Sequence, residues 1–202
     1  MTLEIKISKK LIPYKSAFKF LKARVDSLKK QKGEDLLWIL EHPLTFTAGI
    51  RSKKNEILDK KINIIETNRG GKITLHNPGQ KIVYFVLDLN KKKKDVRNLV
   101  KQIELSIIEF LKLYNIKSYA DKENVGIWVR AKKIAAIGIR VSQWIAYHGC
   151  SININNDLDH YKKIIPCGLN NNKITSMEGE TKEKIINIEK NLKKIFIKNL
   201  KN

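Results

Sequence analysis

The chain has 202 residues, 42% of them apolar, which is enough for one domain with a full core and too apolar for global disorder. Its longest apolar runs, such as Ile82–Leu89, are too short to cross a membrane, the N-terminus lacks a signal-peptide core, and two cysteines make no disulfide framework. A formal charge of +21, from 41 basic and 20 acidic residues, admits nucleic acid, anionic lipid or acidic protein as partners, and the expected setting is soluble, cytoplasmic and reducing.

No repeat or Gly/Pro/Ser-rich linker divides the chain, so a single domain over 1–202 is expected. Pro13 starts a helical stripe of Tyr14, Ala17, Phe18, Leu21, Val25 and Leu28. Strand-length apolar runs follow at 36–41 and 81–89. Asp95 is placed to cap a helix carrying Leu99, Ile103, Ile107 and Phe110. Further runs at 126–129, 133–141 and 151–155 read as consecutive strands, the last alternating apolar and polar residues. A third helix is expected near 181–200, with Ile185, Ile188, Leu192, Ile195 and Phe196 on one stripe. Strands in succession, without strict βαβ alternation, indicate an α+β fold. Its sheet is mixed and largely antiparallel, with helices packed on one side.

The charge is carried mainly by lysine. Only Arg24, Arg51, Arg69, Arg97, Arg130 and Arg140 are arginines, and base-edge readout favours arginine, so nucleic acid is the weakest of the partner options. Lysine drift across the surface and an acidic protein partner remain open.

Four stretches can carry chemistry. In NRGGKITLHNPGQ (68–80), Gly70 and Gly71 let backbone amides approach a ligand, Arg69 adds a cation, and NPGQ makes a tight turn behind His76. Phosphate-loop and dinucleotide spacings are absent, and the stretch also reads as a plain glycine hairpin. In AKKIAAIG (131–138), small residues clear room along a strand that begins with a lysine. In YHGCSINI (147–154), Cys150 reads as a small buried hydrophobe and His148 as a core or site histidine. In IIPCG (164–168), Cys167 lies between Pro166 and Gly168, the flanks of a turn or sheet rim. His148, Cys150, His160 and Cys167 lack the paired spacing of a zinc site, so no metal is expected.

Taken together the blocks resemble the lipoyl(octanoyl) transferases. LLWILEHPLTFTAGIR matches their E-H-P-x-x-[YF]-T-x-G segment, and RGGKITLHNPGQ their R-G-G-x-x-T-x-H-x-P-G-Q segment. KIAAIGIRVSQWIAYHGCSININNDL and IIPCGLNNNKITSM follow in family order, so the resemblance spans about residues 36–177. It implies a fold like the catalytic domains of biotin and lipoate ligases. It implies transfer of octanoate from octanoyl-acyl carrier protein, without cofactor, to a lysine of lipoyl domains. Those acceptors belong to 2-oxoacid dehydrogenases and the glycine cleavage H-type protein.

Residue by residue, the resemblance puts the nucleophile on Cys167 and its activating lysine on Lys133 rather than Lys132. Substrate-lining segments fall on Arg69, Gly70, Gly71, Lys72, Ile73, Thr74, Leu75 and His76, on Ala136, Ile137 and Gly138, and on Gly149, Cys150 and Ser151, with His148 in support. Leu75, Asn77 and Cys150 depart from the usual family residues, which bears on pocket shape. An ATP-dependent ligase of the same fold is the main alternative. An amidotransferase working between lipoyl carriers and a basic nucleic-acid-binding module are the others.

Overall fold

The structure is a computed structural model that describes residues 2–92, 94–121, 123–166 and 173–201, without the side chain of Lys201. Its main sheet has seven strands: β1 (Leu3–Ile7), β2 (Asp35–Leu40), β6 (Gln80–Asp88), β7 (Tyr119–Ala120), β8 (Ile127–Val129), β9 (Lys132–Ser142) and β10 (Ile145–Asn153). Their spatial order is β1-β2-β6-β10-β9-β8-β7. Only β1 and β2 run parallel; every other neighbour is antiparallel, as expected for a mixed, largely antiparallel sheet. A small second sheet has the order β4-β3-β5, from β3 (Thr45–Ala48), β4 (Ile64–Glu66) and β5 (Ile73–His76).

Alternation along the strands sorts their side chains to two faces. Leu36, Trp38, Leu40, Ile82, Tyr84 and Val86 pack against α1 (Tyr14–Lys29), whose buried stripe is Tyr14, Ala17, Leu21, Val25 and Leu28. Leu37, Ile39, Val83, Phe85 and Leu87 face the other way. They meet α2 (Val96–Lys112) and α4 (Ile188–Lys201) through Ile103, Ile107, Phe110, Leu192 and Phe196. Helices therefore cover both faces, which corrects the one-sided arrangement expected from sequence. The apolar runs 36–40 of β2 and 82–87 of β6 are the physical reason, because each buries two sets of side chains.

The helix ends follow local chemistry. Asp95 accepts the Asn98 amide at 2.9 Å and so caps α2, as expected. The last helix starts at Ile188 rather than near 181. A four-residue helix, α3 (Met177–Glu180), ends before it, and Asn187 takes a φ of +58° immediately ahead of α4. Among the described residues, no helix is long and apolar enough to cross a membrane.

The N-terminal end of α1 meets the sheet through aromatic rings and three buried histidines. Phe18 stacks on His148 at 5.6 Å and Tyr14 on His76 at 5.9 Å, while His42 meets His76 edge-on at 5.5 Å. His42 Nδ1 donates to the Ile12 carbonyl, leaving Nε2 to accept from the Tyr84 hydroxyl at 2.9 Å. Burial disfavours the charged form of each ring. It brings His42 down to about 4 and His148 down to about 3, and holds His76 well below the ordinary histidine value. All three are neutral at pH 7.

This packing predicts an acid-labile seam. The folded-state values lie below the unfolded value, so the unfolded chain binds the extra protons. The stabilisation is complete above about pH 6.5 and is lost as the pH falls toward 4 and 3. Between pH 7.5 and 5.5 His42 and His148 should each contribute a loss of roughly 1–2 kcal/mol, and His76 a loss of the same sign. Urea unfolding at the two pH values measures it. His42→Gln should flatten the dependence, and an unchanged slope in that variant would count against the neutral, buried state.

Candidate functional site

The cavity opens on the α1 side of the main sheet, where Tyr14 and Phe18 of that helix stack on the cavity-lining His76 and His148. Its floor is a patch of small and polar side chains on three neighbouring strands. In β6 and β10, Ile82 stands opposite Ser151 and Tyr84 opposite Gly149; in β10 and β9, Ser151 stands opposite Ala136 and Gly149 opposite Gly138. Directly opposed residues share a face, so two glycines, an alanine and a serine leave a trough where larger side chains would fill the space. The small sheet roofs that trough. The Gly70 amide donates to the Ile139 carbonyl at 3.2 Å, and a β-carbon on Gly138 would stand only 3.0 Å from the Gly70 carbonyl oxygen. The cavity, open on one side, has a volume of about 300 Å³.

The structure brings most of the sequence-predicted residues to this cavity. Arg69, Gly70, Gly71, Lys72, Thr74 and His76 line one side. Lys133, Ala136, Ile137, Gly138, His148, Gly149, Cys150 and Ser151 line the other. Ile73 and Leu75 are the exceptions. The two-residue period of β5 turns them away from the cavity, into a separate core with Phe46, Tyr161 and Ile164.

Arg69 is buried, and it is fixed rather than reaching. Its Nη2 donates to the Thr47 carbonyl and hydroxyl at 2.8 and 2.9 Å, and its Nη1 to the Gly70 carbonyl at 3.0 Å. His148 lies in mid-strand with a φ of +70°, a left-handed backbone that costs a side-chain-bearing residue energy. The surroundings hold it there. Its ring lies between Phe18 and Tyr147, and its Nε2 meets Asn68 Oδ1 at 2.8 Å.

Lys133 is 6% exposed, whereas Lys132 is exposed. Its Nζ stands 5.6 Å from the centre of the Trp128 ring. Its side chain runs across Gly126, where a β-carbon would lie 2.4 Å from Lys133 Cε. Gly126 has a φ of +140°, and its missing side chain gives the lysine its path. A small recess beside the main cavity is also lined by Lys133, together with Pro166 and Ile174. Ile174 pairs with Lys133 as an isolated bridge, and the Thr175 amide donates to the Lys133 carbonyl at 3.0 Å. Cys167 lies outside the described residues; Pro166 precedes it, and the described chain resumes at Lys173.

Cys150 is buried and free, and burial pushes its thiol up, away from the reactive thiolate. It packs in the core facing α2 and borders the cavity, so it works as a spacer. Among the described residues no three His, Cys, Asp or Glu side chains are grouped to hold a metal ion.

Several cavity residues were not anticipated: Arg51, Ile82, Tyr84, Glu123, Asn124 and Val125. Ile82 and Tyr84 sit two apart in a strand recognised as apolar, but the sequence carries no sign of which alternate set faces the cavity. The 123–125 wall is held by local bonds, with Trp128 Nε1 donating to the Asn124 carbonyl at 2.9 Å and Asp121 accepting the Glu123 and Asn124 amides, and only the fold brings this turn to the cavity.

Comparison with known proteins agrees with this architecture. The family model described as lipoyl protein ligase A/B catalytic domain matches residues 13–201. An octanoyltransferase of Anaplasma marginale (strain Florida) is 40% identical over 181 residues, covering 87% of this chain and 85% of the relative. An octanoyltransferase of Wolbachia sp. subsp. Brugia malayi (strain TRS) is 39% identical over 198 residues, covering 95% and 97%. Among solved structures, a lipoate-protein ligase A bound with ATP superposes with a TM-score of 0.78 at 14% identity, covering 98% of this chain and 86% of that one. A bipartite lipoate protein ligase of Thermoplasma acidophilum, described with its E2 lipoyl domain, gives 0.77 at 13% identity, covering 100% and 84%. The structural likeness establishes the ligase-like fold, and the sequence relatives establish the rest: this chain is an enzyme of the octanoyltransferase family.

Proposed function

We propose that the chain, acting as one catalytic domain over 1–202, moves an octanoyl group from octanoyl-acyl carrier protein to a lysine of a lipoyl domain. The group is carried between them as a thioester on Cys167. The observation that carries this reading is Lys133: it is buried and borders both the cavity and the recess lined by Pro166 and Ile174. Pro166 immediately precedes Cys167 in sequence, and Ile174 follows it by seven residues. Of the two cysteines the other, Cys150, has its thiol disfavoured as a nucleophile.

The chemistry balances without ATP. Lys133, as the neutral amine, takes the proton of the Cys167 thiol, and Sγ attacks the carbonyl carbon of the incoming thioester. The bond from that carbon to the donor sulfur breaks, and the donor leaves as a thiol with the proton from Lys133. In the second half-reaction the carrier lysine, as a free amine, attacks the acyl carbon. The N–C bond forms, the C–Sγ bond breaks, and the amine proton passes through Lys133 to restore the thiol. Backbone amides of the 69–71 turn are candidates to stabilise the tetrahedral oxyanion. The apolar part of the cavity, with Ala136, Gly138, Ile82 and Val125, suits the alkyl chain.

The acceptor side draws support from the ligase described with its E2 lipoyl domain, which has the same fold. The donor side draws support from charge. Arg51, Arg69, Lys72 and Lys133 line the cavity against a single acid, Glu123, among the described residues, and the chain carries +21 overall. Such a surface would steer acidic carrier domains toward the site.

Turnover tests the reading. Octanoyl-acyl carrier protein and a lipoyl domain should give an octanoylated product with no ATP present. Lys133→Ala should lower kcat/KM about 100-fold or more, as the loss of a general acid–base group does. A strict requirement for ATP would favour the ligase alternative. An octanoylated lipoyl domain working as donor in place of the carrier protein would indicate the amidotransferase. If the charge steers, kcat/KM should also fall steeply with added salt, and a flat salt profile would leave surface drift as the explanation.

A further inference from the structure

Gln80 and Asn153 are buried polar residues outside the lining of the main cavity, Asn153 bordering the recess beside it, and the proposed chemistry uses neither. Gln80 ends the Asn77–Pro78–Gly79 turn, where its amide donates to the Asn77 carbonyl at 3.1 Å and Gly79 takes a φ of +86°. At the start of β6 it lies directly opposite Asn153, the last residue of β10.

A chain of hydrogen bonds runs through the pair. His76 Nδ1 meets Gln80 Oε1 at 2.8 Å, Gln80 Nε2 meets Asn153 Oδ1 at 2.9 Å, and Asn153 Nδ2 meets the Thr175 carbonyl at 2.9 Å. The last link sets the direction of all the others. A backbone carbonyl only accepts, so Asn153 must turn its amino group to Thr175 and its oxygen to Gln80. Gln80 must then donate to Asn153 and turn its own oxygen to His76. The Tyr161 hydroxyl, 3.2 Å from Gln80 Nε2, accepts the second amide proton of the same orientation. His76 is left to carry its proton on Nδ1.

The other nitrogen of the ring is therefore a bare lone pair. His76 lines the cavity, and its Nε2 has no hydrogen-bond partner among the described residues. His42 differs, because both of its nitrogens are engaged. Burial above all, with the Arg69 guanidinium nearby, holds His76 neutral, so the lone pair persists at pH 7. The far end of the same chain is tied to the other side of the site, since the Thr175 amide donates to the Lys133 carbonyl at 3.0 Å.

We propose that Gln80 and Asn153 are positioning residues that fix His76 as the Nδ1–H tautomer, so that its Nε2 accepts a hydrogen bond from the amine of the incoming carrier lysine. The inference rests on the acyl-transfer reading above. The acyl group and its thioester carbonyl have no N–H to offer, whereas the attacking amine does. One N–H held on Nε2 limits the rotation of the amine and leaves its lone pair free to attack. The proton that must leave as the N–C bond forms and the C–Sγ bond breaks still goes to Lys133. His76 orients the amine and takes no proton.

Two measurements on the full chain test this. Nitrogen-15 NMR of wild-type protein should show His76 neutral and protonated on Nδ1. Rapid-quench mass spectrometry should then follow acylation by octanoyl-acyl carrier protein and transfer to a lipoyl domain as separate steps. Gln80→Leu should slow transfer about tenfold, the worth of one well-placed hydrogen bond, and leave acylation within about twofold. Gln80→Glu still accepts from Nδ1 but sets a carboxylate beside the ring, which raises the histidine's affinity for a proton. Among the titratable groups facing that ring (Tyr14, His42, Arg69 and His148), it would be the one anion. Transfer by this variant should therefore acquire an acid limb in its pH profile that wild type lacks. The wild-type spectrum and the isosteric variant carry the test even if Gln80→Leu does not fold. Equal slowing of both steps, slowing of neither, or a proton on Nε2 overturns the inference. Wild-type protein that forms no acyl-enzyme overturns the acyl-transfer reading instead.

Discussion

The contact between Gly70 and β9 holds the site together. A backbone amide of the loop between β4 and β5 of the small sheet reaches a backbone carbonyl of the main sheet, at Ile139, over 3.2 Å. A β-carbon on Gly70 would stand 2.8 Å from the Ile139 carbonyl oxygen and one on Gly138 3.0 Å from the Gly70 carbonyl oxygen, so the seam needs glycine on both sides. That approach makes a roof of Arg69–Gly71 and a wall of Ala136–Gly138. It also explains why Arg69 is tied to Thr47, since a buried guanidinium needs its protons accepted.

From that seam the polar groups run inward instead of facing water. Neutral histidines pack between α1 and the sheet, and the amide chain behind His76 ends on the backbone beside Lys133. A buried polar group is tolerated when its hydrogen bonds are complete, and then it is held in one orientation. The cavity therefore combines an apolar trough for an alkyl chain with rigidly oriented donors and acceptors at one end. Such an arrangement favours reaction at a defined atom over loose binding.

Much of the fold was legible in the amino-acid sequence, for identifiable reasons. The β6 and β9 runs are long and apolar, and the α2 stripe and its Asp95 cap are local features. The strands β3, β4 and β5 have three or four residues each and draw stability from pairing rather than propensity, so nothing local announces them. The β10 strand begins at Ile145, six residues before the alternating stretch that was recognised, because Gly149 and the left-handed His148 break the local pattern. Candidate site residues were legible through the glycine-histidine and small-residue blocks and through family resemblance. Their facing was not: Ile73 and Leu75 belong to the block but turn into a core. Tyr84 and His42 gain their places only when α1, β2 and β6 meet.

The central claim is that Cys167 carries the acyl group and that Lys133 serves it. Intact-mass and peptide mass spectrometry, after mixing the protein with octanoyl-acyl carrier protein in the absence of ATP, tests it most directly. The account predicts one octanoyl adduct on Cys167, labile to hydroxylamine, absent from Cys167→Ala and formed slowly in Lys133→Ala. An adduct on Cys150, or normal labelling of Cys167→Ala, would contradict it.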